Sequence, residues 1–133
     1  MYTVCIRDHL MIAHSLRGEI FGFAERLHGA TYVVDLELRR PDLDPDGVVV
    51  DISEMSACLR EVLGEWNYRN LDELPEFAGR NTTTEFLAQA IFNRIAARIE
   101  EGRFGPYAAG LSAMRVVLHE SHVAWAAYEG PLP

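Results

Sequence analysis

The sequence has no lysine, and all twelve of its basic residues are arginines. A Schiff-base mechanism, which requires a lysine amine, is therefore excluded. The twenty acidic residues give the chain a formal net charge of −8. Nucleic-acid binding needs clustered basic side chains that neutralise phosphates, so we expect no nucleic-acid partner.

Long apolar runs and paired cysteines are also missing. No run approaches the length of a membrane span, and the first residues lack the basic-then-apolar layout of a signal peptide. Cys5 and Cys58 form no CxxC motif, so we expect both to be small buried hydrophobic residues. These absences predict a cytoplasmic protein that does not bind a membrane.

The apolar residues that are present suffice for one domain. The chain has 133 residues, of which 49% are hydrophobic, enough to bury a single core. We therefore treat 1–133 as one domain. Alternating or short continuous apolar residues predict strands at 3–12, 33–40, 48–50, 114–118 and 123–128. Loops are predicted at 17–25, 67–80 and 102–110.

Apolar residues at helical spacing predict two helices. The first begins at Asp51 or Ser53, either of which can cap it, and ends near Gly64. The second begins at Thr82, which has capping-box spacing to Glu85. Taking the four longer strands with these helices, the order ββ-α-α-ββ predicts an α+β fold: a four-stranded antiparallel sheet with two helices on one face.

Two histidines lie where the first two long strands approach each other in sequence. His14 follows the first strand, and His28 precedes the second within Leu27-His28-Gly29. If these strands pair as antiparallel neighbours, the two imidazoles meet at one end of the sheet. A metal or a small polar ligand requires such a geometry. On these two residues alone, the simpler interpretation is that each histidine is a satisfied or surface residue.

Five short motifs occur in one order along nearly the whole chain. They are Ala13 to Leu16, Leu27 to Tyr32, Gly47 to Ile52, Asn81 to Ala88, and Val117 to Ser121 followed by Tyr128. Together they resemble the 6-pyruvoyl-tetrahydropterin synthase and 6-carboxytetrahydropterin synthase family. The resemblance implies the tunnelling fold, in which trimers close a β-barrel and two trimers stack into a hexamer. It also implies a small pterin-like ligand.

The resemblance assigns substrate binding to Thr83, Thr84, Glu85 and Glu120, and metal binding to His14 and His28. A pterin presents a planar edge of N–H donors, and the Glu120 carboxylate can accept two parallel hydrogen bonds from it. The alternative for Glu120 is an exposed or arginine-paired strand glutamate. The alternative for Glu85 is a capping-box carboxylate, and the two roles are compatible.

Four positions depart from the family pattern. The third zinc histidine of the family falls on Ala30, its cysteine on Ala24, and its Asp-His pair on Asn67 and Tyr68. The ordinary synthase mechanism cannot run with these residues. Because two ligand positions remain, we expect zinc to be absent or weakly held. His122 is a possible replacement ligand.

Glu25 lies three residues before His28. One branch of the family places a glutamate at this spacing instead of the cysteine and acts like a dihydroneopterin aldolase. A carboxylate near a bound diol could take the hydroxyl proton that starts retro-aldol cleavage, if burial raises its pKa. The alternative is a solvated loop glutamate, and that branch keeps its full set of histidines, which this chain does not.

Two functions therefore remain open. The first is a pterin-type lyase that cleaves the side chain of a dihydropterin, with Glu25 as the catalytic proton carrier. The second is a non-catalytic member of the family that kept the fold and the pocket, and that serves in binding or assembly. The sequence favours the first.

Overall fold

A five-stranded sheet carries two α-helices on one face in the computed structural model, which describes residues Met1–Pro133. The strands are β1 (Tyr2–His14), β2 (His28–Arg40), β3 (Arg69–Asn70), β4 (Ala113–Ser121) and β5 (Ala124–Pro131), and the helices are α1 (Ile52–Gly64) and α2 (Thr84–Glu100). The strands lie in the order β3-β1-β2-β4-β5. The four long strands are antiparallel, whereas β3 runs parallel to β1.

The predicted α+β class is confirmed, but the predicted four-stranded sheet with the order ββ-α-α-ββ is wrong. Arg69–Asn70, within a predicted loop, pairs with Ile12 and Ala13 and makes the sheet mixed. Val48–Val50 is not a strand, and the Val49 carbonyl accepts a hydrogen bond from Arg40 Nη1 at 3.1 Å. The predicted loops also contain short 3-10 segments at Glu19–Glu25, Leu71–Glu73, Pro75–Phe77 and Gly105–Gly110.

The core lies between the helices and one face of the sheet. Alternate residues of the strands point into it, since successive side chains of a strand face opposite ways. Its fully buried members from the sheet are Leu10, Val34, Leu36, Leu38, Val116 and Leu118. Cys58 of α1 is buried as predicted, but Cys5 is exposed because it lies on the other face. Each buried Leu or Ile side chain contributes about 1.5–3 kcal/mol to folding.

The face opposite the helices, called the open face here, carries polar and charged side chains. Arg7 and Asp35 form an ion pair on it, and so do Glu37 and Arg115. No α-helix is long and apolar enough to cross a membrane.

Both edges of the sheet are largely unpaired. On β1 only Ile12 and Ala13 have a strand neighbour on the outer side, and β5 has none. Unpaired edges expose backbone donors and acceptors that another chain can satisfy.

Candidate functional site

A cavity of about 540 Å³ lies where β1 ends and β2 begins. Six of the seven predicted site residues line it, which are His14, His28, Thr83, Thr84, Glu85 and Glu120. Glu25 does not line it, although its neighbour Ala24 does. The remaining lining comes from Leu16, Phe21 and the segment 29–32.

Antiparallel pairing brings the two histidines together. His14 and His28 are direct partners in the β1–β2 register, and their ring centroids are 4.6 Å apart at an interplanar angle of 62°. His28 Nδ1 donates to the Arg26 carbonyl at 2.7 Å. A carbonyl can only accept, so a neutral His28 carries its proton on Nδ1 and its lone pair on Nε2.

His14 is held from behind by a threonine. Its Nδ1 lies 3.0 Å from Thr82 Oγ1, and only 3% of His14 and 1% of Thr82 are exposed. Burial, aided by the neighbouring His28, lowers the pKa of His14. The structure therefore favours a neutral His14 imidazole, and Thr82 is a supporting residue that sequence reasoning missed.

The start of α2 differs from the prediction by one residue. Thr83, not Thr82, caps the helix, and its hydroxyl accepts from the Phe86 backbone N–H at 3.1 Å. Glu85 is therefore not at the capping-box position. Three consecutive threonines could each cap a helix, and Thr82 is instead buried against His14. The Glu85 carboxylate lines the cavity.

Glu120 occupies a β-bulge. His119 pairs with Trp125 and Ser121 with Ala124, which leaves Glu120 without a partner on β5. Bulges redirect side chains, and here the Glu120 side chain reaches the start of α2, where the Thr84 hydroxyl donates to its carboxylate. No arginine pairs with this carboxylate. It remains solvent-accessible at the cavity and can accept further hydrogen bonds.

Tyr32 is a second residue that sequence reasoning missed. Its side chain is only 2% exposed, yet it lines the cavity. Burial raises the pKa of the Tyr32 phenol, while a side-chain contact with Thr84 acts in the opposite direction. The phenol therefore remains a neutral donor at physiological pH. A buried aromatic residue in a strand looks like a core residue in the sequence, so no signal distinguished it.

Glu25, the predicted proton carrier, lies outside the cavity, and so do Asn67 and Tyr68, on which the Asp-His pair of the family falls. Glu25 is exposed at the end of the segment Glu19–Glu25. Asn67 Oδ1 accepts from the Met11 backbone N–H at 2.9 Å, so Asn67 covers part of the β1 edge. Tyr68 is 79% exposed and has a left-handed backbone with φ of 63°.

The side chains present do not make a three-ligand zinc site. His14 and His28 can offer their Nε2 atoms, but Ala30 places a methyl group beside them in the cavity. His122 lies in the turn between β4 and β5 and does not line this cavity. The structure contains no group of three or more His, Cys, Asp or Glu side chains arranged to hold a metal ion. We therefore assign no reaction step to a metal.

Comparison with known proteins agrees with this fold. The sequence model of the 6-pyruvoyl tetrahydropterin synthase family matches residues 3–131. A 6-pyruvoyl tetrahydrobiopterin synthase of Drosophila melanogaster is 29% identical over 99% of this chain and 77% of its own length. A 6-carboxy-5,6,7,8-tetrahydropterin synthase of Bacillus subtilis is 26% identical over 69% of this chain and 64% of its own length.

Solved structures show the same architecture. The 6-pyruvoyl tetrahydropterin synthase of Caenorhabditis elegans has a TM-score of 0.80 and 25% identity, covering 97% of this chain and 95% of that one. Two variants of the Plasmodium vivax enzyme, in which a catalytic glutamate is replaced by cysteine or alanine, have a TM-score of 0.78 and 19% identity over 98% of both chains. The match over residues 3–131 shows that the chain belongs to the 6-pyruvoyl tetrahydropterin synthase family.

Proposed function

We propose that the chain binds a dihydropterin in the cavity and acts on it as a side-chain lyase. The observation that carries this proposal is the Glu120 carboxylate, which the bulge and the Thr84 hydroxyl hold at the cavity wall. An ionised carboxylate there accepts two hydrogen bonds from the planar N–H edge of the heterocycle. The volume of about 540 Å³ is in the range of small-molecule sites.

The ligand orientation follows from the donors and acceptors around the cavity. With the N–H edge of the ring at Glu120, the side chain of the ligand points towards His14 and His28. The Nε2 lone pair of His28 accepts from a ligand hydroxyl, and Tyr32 offers a hydrogen-bond donor. Glu85, free of the helix cap, supplies a further acceptor.

Side-chain cleavage is a retro-aldol reaction. A base removes the proton of the side-chain hydroxyl, the adjacent C–C bond breaks, and its electron pair moves into the ring imine while an aldehyde leaves. We assign the base to Glu25. A glutamate is also named as a catalytic residue in the 6-pyruvoyltetrahydropterin synthase of Plasmodium vivax, which has the same fold. Gly22, with φ of 51°, interrupts the segment Glu19–Glu25 and would permit the movement that Glu25 needs to reach the ligand.

The active form in this proposal is a trimer or a hexamer in the cytoplasm. The cavity is open on one side in the single chain, and a neighbouring copy paired along a free sheet edge would close it. Closure excludes water and strengthens the hydrogen bonds to Glu120.

A non-catalytic family member that binds a pterin is the second candidate. The observation that favours it is the absence of a proton carrier at Ala24, Asn67 and Tyr68, together with the exposure of Glu25. Such a protein would bind the ligand and leave it unchanged.

Product analysis after incubation with dihydroneopterin or dihydroneopterin triphosphate separates the two candidates. The lyase releases glycolaldehyde from dihydroneopterin, and Glu25→Gln lowers kcat by about 100-fold, because general base catalysis contributes on this scale. Glu19→Gln, a change in the same exposed segment, keeps the activity of the natural chain. Tight binding without turnover of either compound would instead establish the non-catalytic candidate.

A further inference from the structure

A second cavity, of about 330 Å³, lies on the open face of the sheet. Its lining is polar and includes His119, Ser121 and His122. Thr31 and Glu120 line both cavities. The carboxylate proposed to hold the ligand therefore stands between the helix-side cavity and the open-face cavity.

The two cavities meet because β2 and β4 separate at this point. Their pairing ends at Val33 and His119, although β2 begins earlier, at His28, and β4 continues to Ser121. Beyond the last pair the two strands form a fork, defined by residues 28–32 on one side and 120–121 on the other. Because Thr31 and Glu120 line both cavities here, a heterocycle held by Glu120 would be accessible from the open face.

His119 stands at the base of the fork and is held by a carboxylate. Its Nε2 lies 2.8 Å from Asp35 Oδ2. Arg7 donates twice to the same carboxylate, from Nε to Oδ1 at 2.6 Å and from Nη2 to Oδ2 at 2.9 Å. These bonds from Arg7 hold the pKa of Asp35 below its usual value. An ionised Asp35 can only accept, so His119 Nε2 carries a proton.

The other ring nitrogen of His119, Nδ1, is available to exchange a proton with a ligand. No side-chain or backbone group of the chain bonds to Nδ1, and the ring lines the open-face cavity. A histidine that has a carboxylate on one nitrogen, no partner on the other and a ring that lines a cavity has the arrangement of an acid–base group. The neighbouring pair Glu37 and Arg115 lines neither cavity and has the character of a structural ion pair.

We propose that His119 is the proton donor on the ring side of the ligand, with Asp35 as its positioning residue. This inference rests on the proposed lyase function. It gives the site an Asp-His pair although Asn67 and Tyr68 carry none. As the C–C bond breaks and its electron pair enters the ring imine, His119 protonates the ring nitrogen, and Asp35 stabilises the imidazolium before transfer. The side-chain carbon then takes the proton that Glu25 removed from the hydroxyl, and the ring nitrogen gives its proton back to His119, so no oxidant or reductant is needed.

The first test replaces His119 and uses His9 as the matched control. His9 is exposed on the same face, and both histidines pair with Val33. His119→Gln should lower kcat for dihydroneopterin by about 100-fold while the dissociation constant stays within about threefold. His9→Gln should leave both unchanged. In His119→Ala, added imidazole should restore part of kcat, which a merely structural histidine would not show.

The second test addresses the positioning role. Asp35→Asn should lower kcat at least about tenfold with little change in KM, because the orientation of the imidazole is lost. Glu37→Gln, which removes the neighbouring ion pair, should retain kcat. Unchanged kcat in His119→Gln, or equal losses in both histidine variants, would overturn the inference while leaving the lyase function intact. A natural chain without turnover would remove the proposed function and this inference with it.

Discussion

Ala30→His should retain about one zinc ion per subunit after dialysis against a mild chelator, whereas the natural chain should retain little. A catalytic zinc site normally has three protein ligands and a water. The structure places His14 and His28 with ring centroids 4.6 Å apart, and Ala30 lines the same cavity. An imidazole at position 30 adds the third ligand to a pair that is already in place. The lack of this third ligand in the natural chain costs several kcal/mol of zinc-binding free energy.

Elemental analysis of the dialysed proteins measures this change. Ala30→Gln, similar in size but a poor zinc ligand, is the matched control and should behave like the natural chain. Stoichiometric zinc in the natural chain would mean that a replacement ligand exists, with His122 and Glu25 the first to mutate. An Ala30→His variant without zinc would show that the two histidines do not converge in solution.

The protein should sediment as a trimer or a hexamer at micromolar concentration. The free edges of β1 and β5 run antiparallel to each other, since strand direction alternates along the order β1-β2-β4-β5 and two strands lie between them. The β5 edge of one copy can therefore pair with the β1 edge of the next, and head-to-tail repetition closes a ring. A stable monomer would contradict this arrangement.

Proline in β5 tests which edge is used. Successive N–H groups along a strand alternate between its two sides. Of the two variants Ala126→Pro and Ala127→Pro, one therefore removes only an N–H that points away from β4. That variant should stay folded, as judged by circular dichroism, and lose assembly. Ala127→Ser, which keeps the backbone N–H, should assemble like the natural chain. Full assembly by a folded proline variant would show that the β5 edge is not an interface.

Sequence reasoning predicted the elements that have their own periodicity. The pairing of β1 with β2 and the meeting of His14 with His28 follow from two strands joined by one loop. Asp51 was one of two predicted caps of α1, and its side chain does accept from the Ser53 N–H at 2.8 Å. These features depend on residues close in sequence, which is why patterns reveal them.

The wrongly predicted elements are those that depend on tertiary contacts. β3 has two residues and no pattern of its own, and it exists because Ile12 and Ala13 are within reach. Val48–Val50 has high β-propensity, but no strand lies beside it to accept its backbone hydrogen bonds. Propensity predicts a strand only where a partner is available.

In the site too, local motifs predicted some features, whereas others depend on tertiary contacts. The role of Glu120 was predicted from the resemblance, but the bulge and the Thr84 bond that aim it depend on β5 and α2. His119 and Asp35 are 84 residues apart in sequence. No local pattern marks them as partners, because a cross-strand contact appears only once the sheet register is known.

Equilibrium binding of dihydroneopterin to the natural chain and to Glu120→Gln, measured by calorimetric titration, tests the central claim most directly. The amide keeps the shape of the side chain but replaces an acceptor with a donor that faces the N–H edge of the ligand. Loss of this charge-assisted bond should weaken binding by about 1.5–3 kcal/mol, or roughly 10–150-fold. Glu129→Gln, an exposed glutamate of β5 that lies outside the cavity, should bind like the natural chain. Equal affinity of the natural chain and Glu120→Gln, or no binding by either, would contradict a pterin site anchored at Glu120.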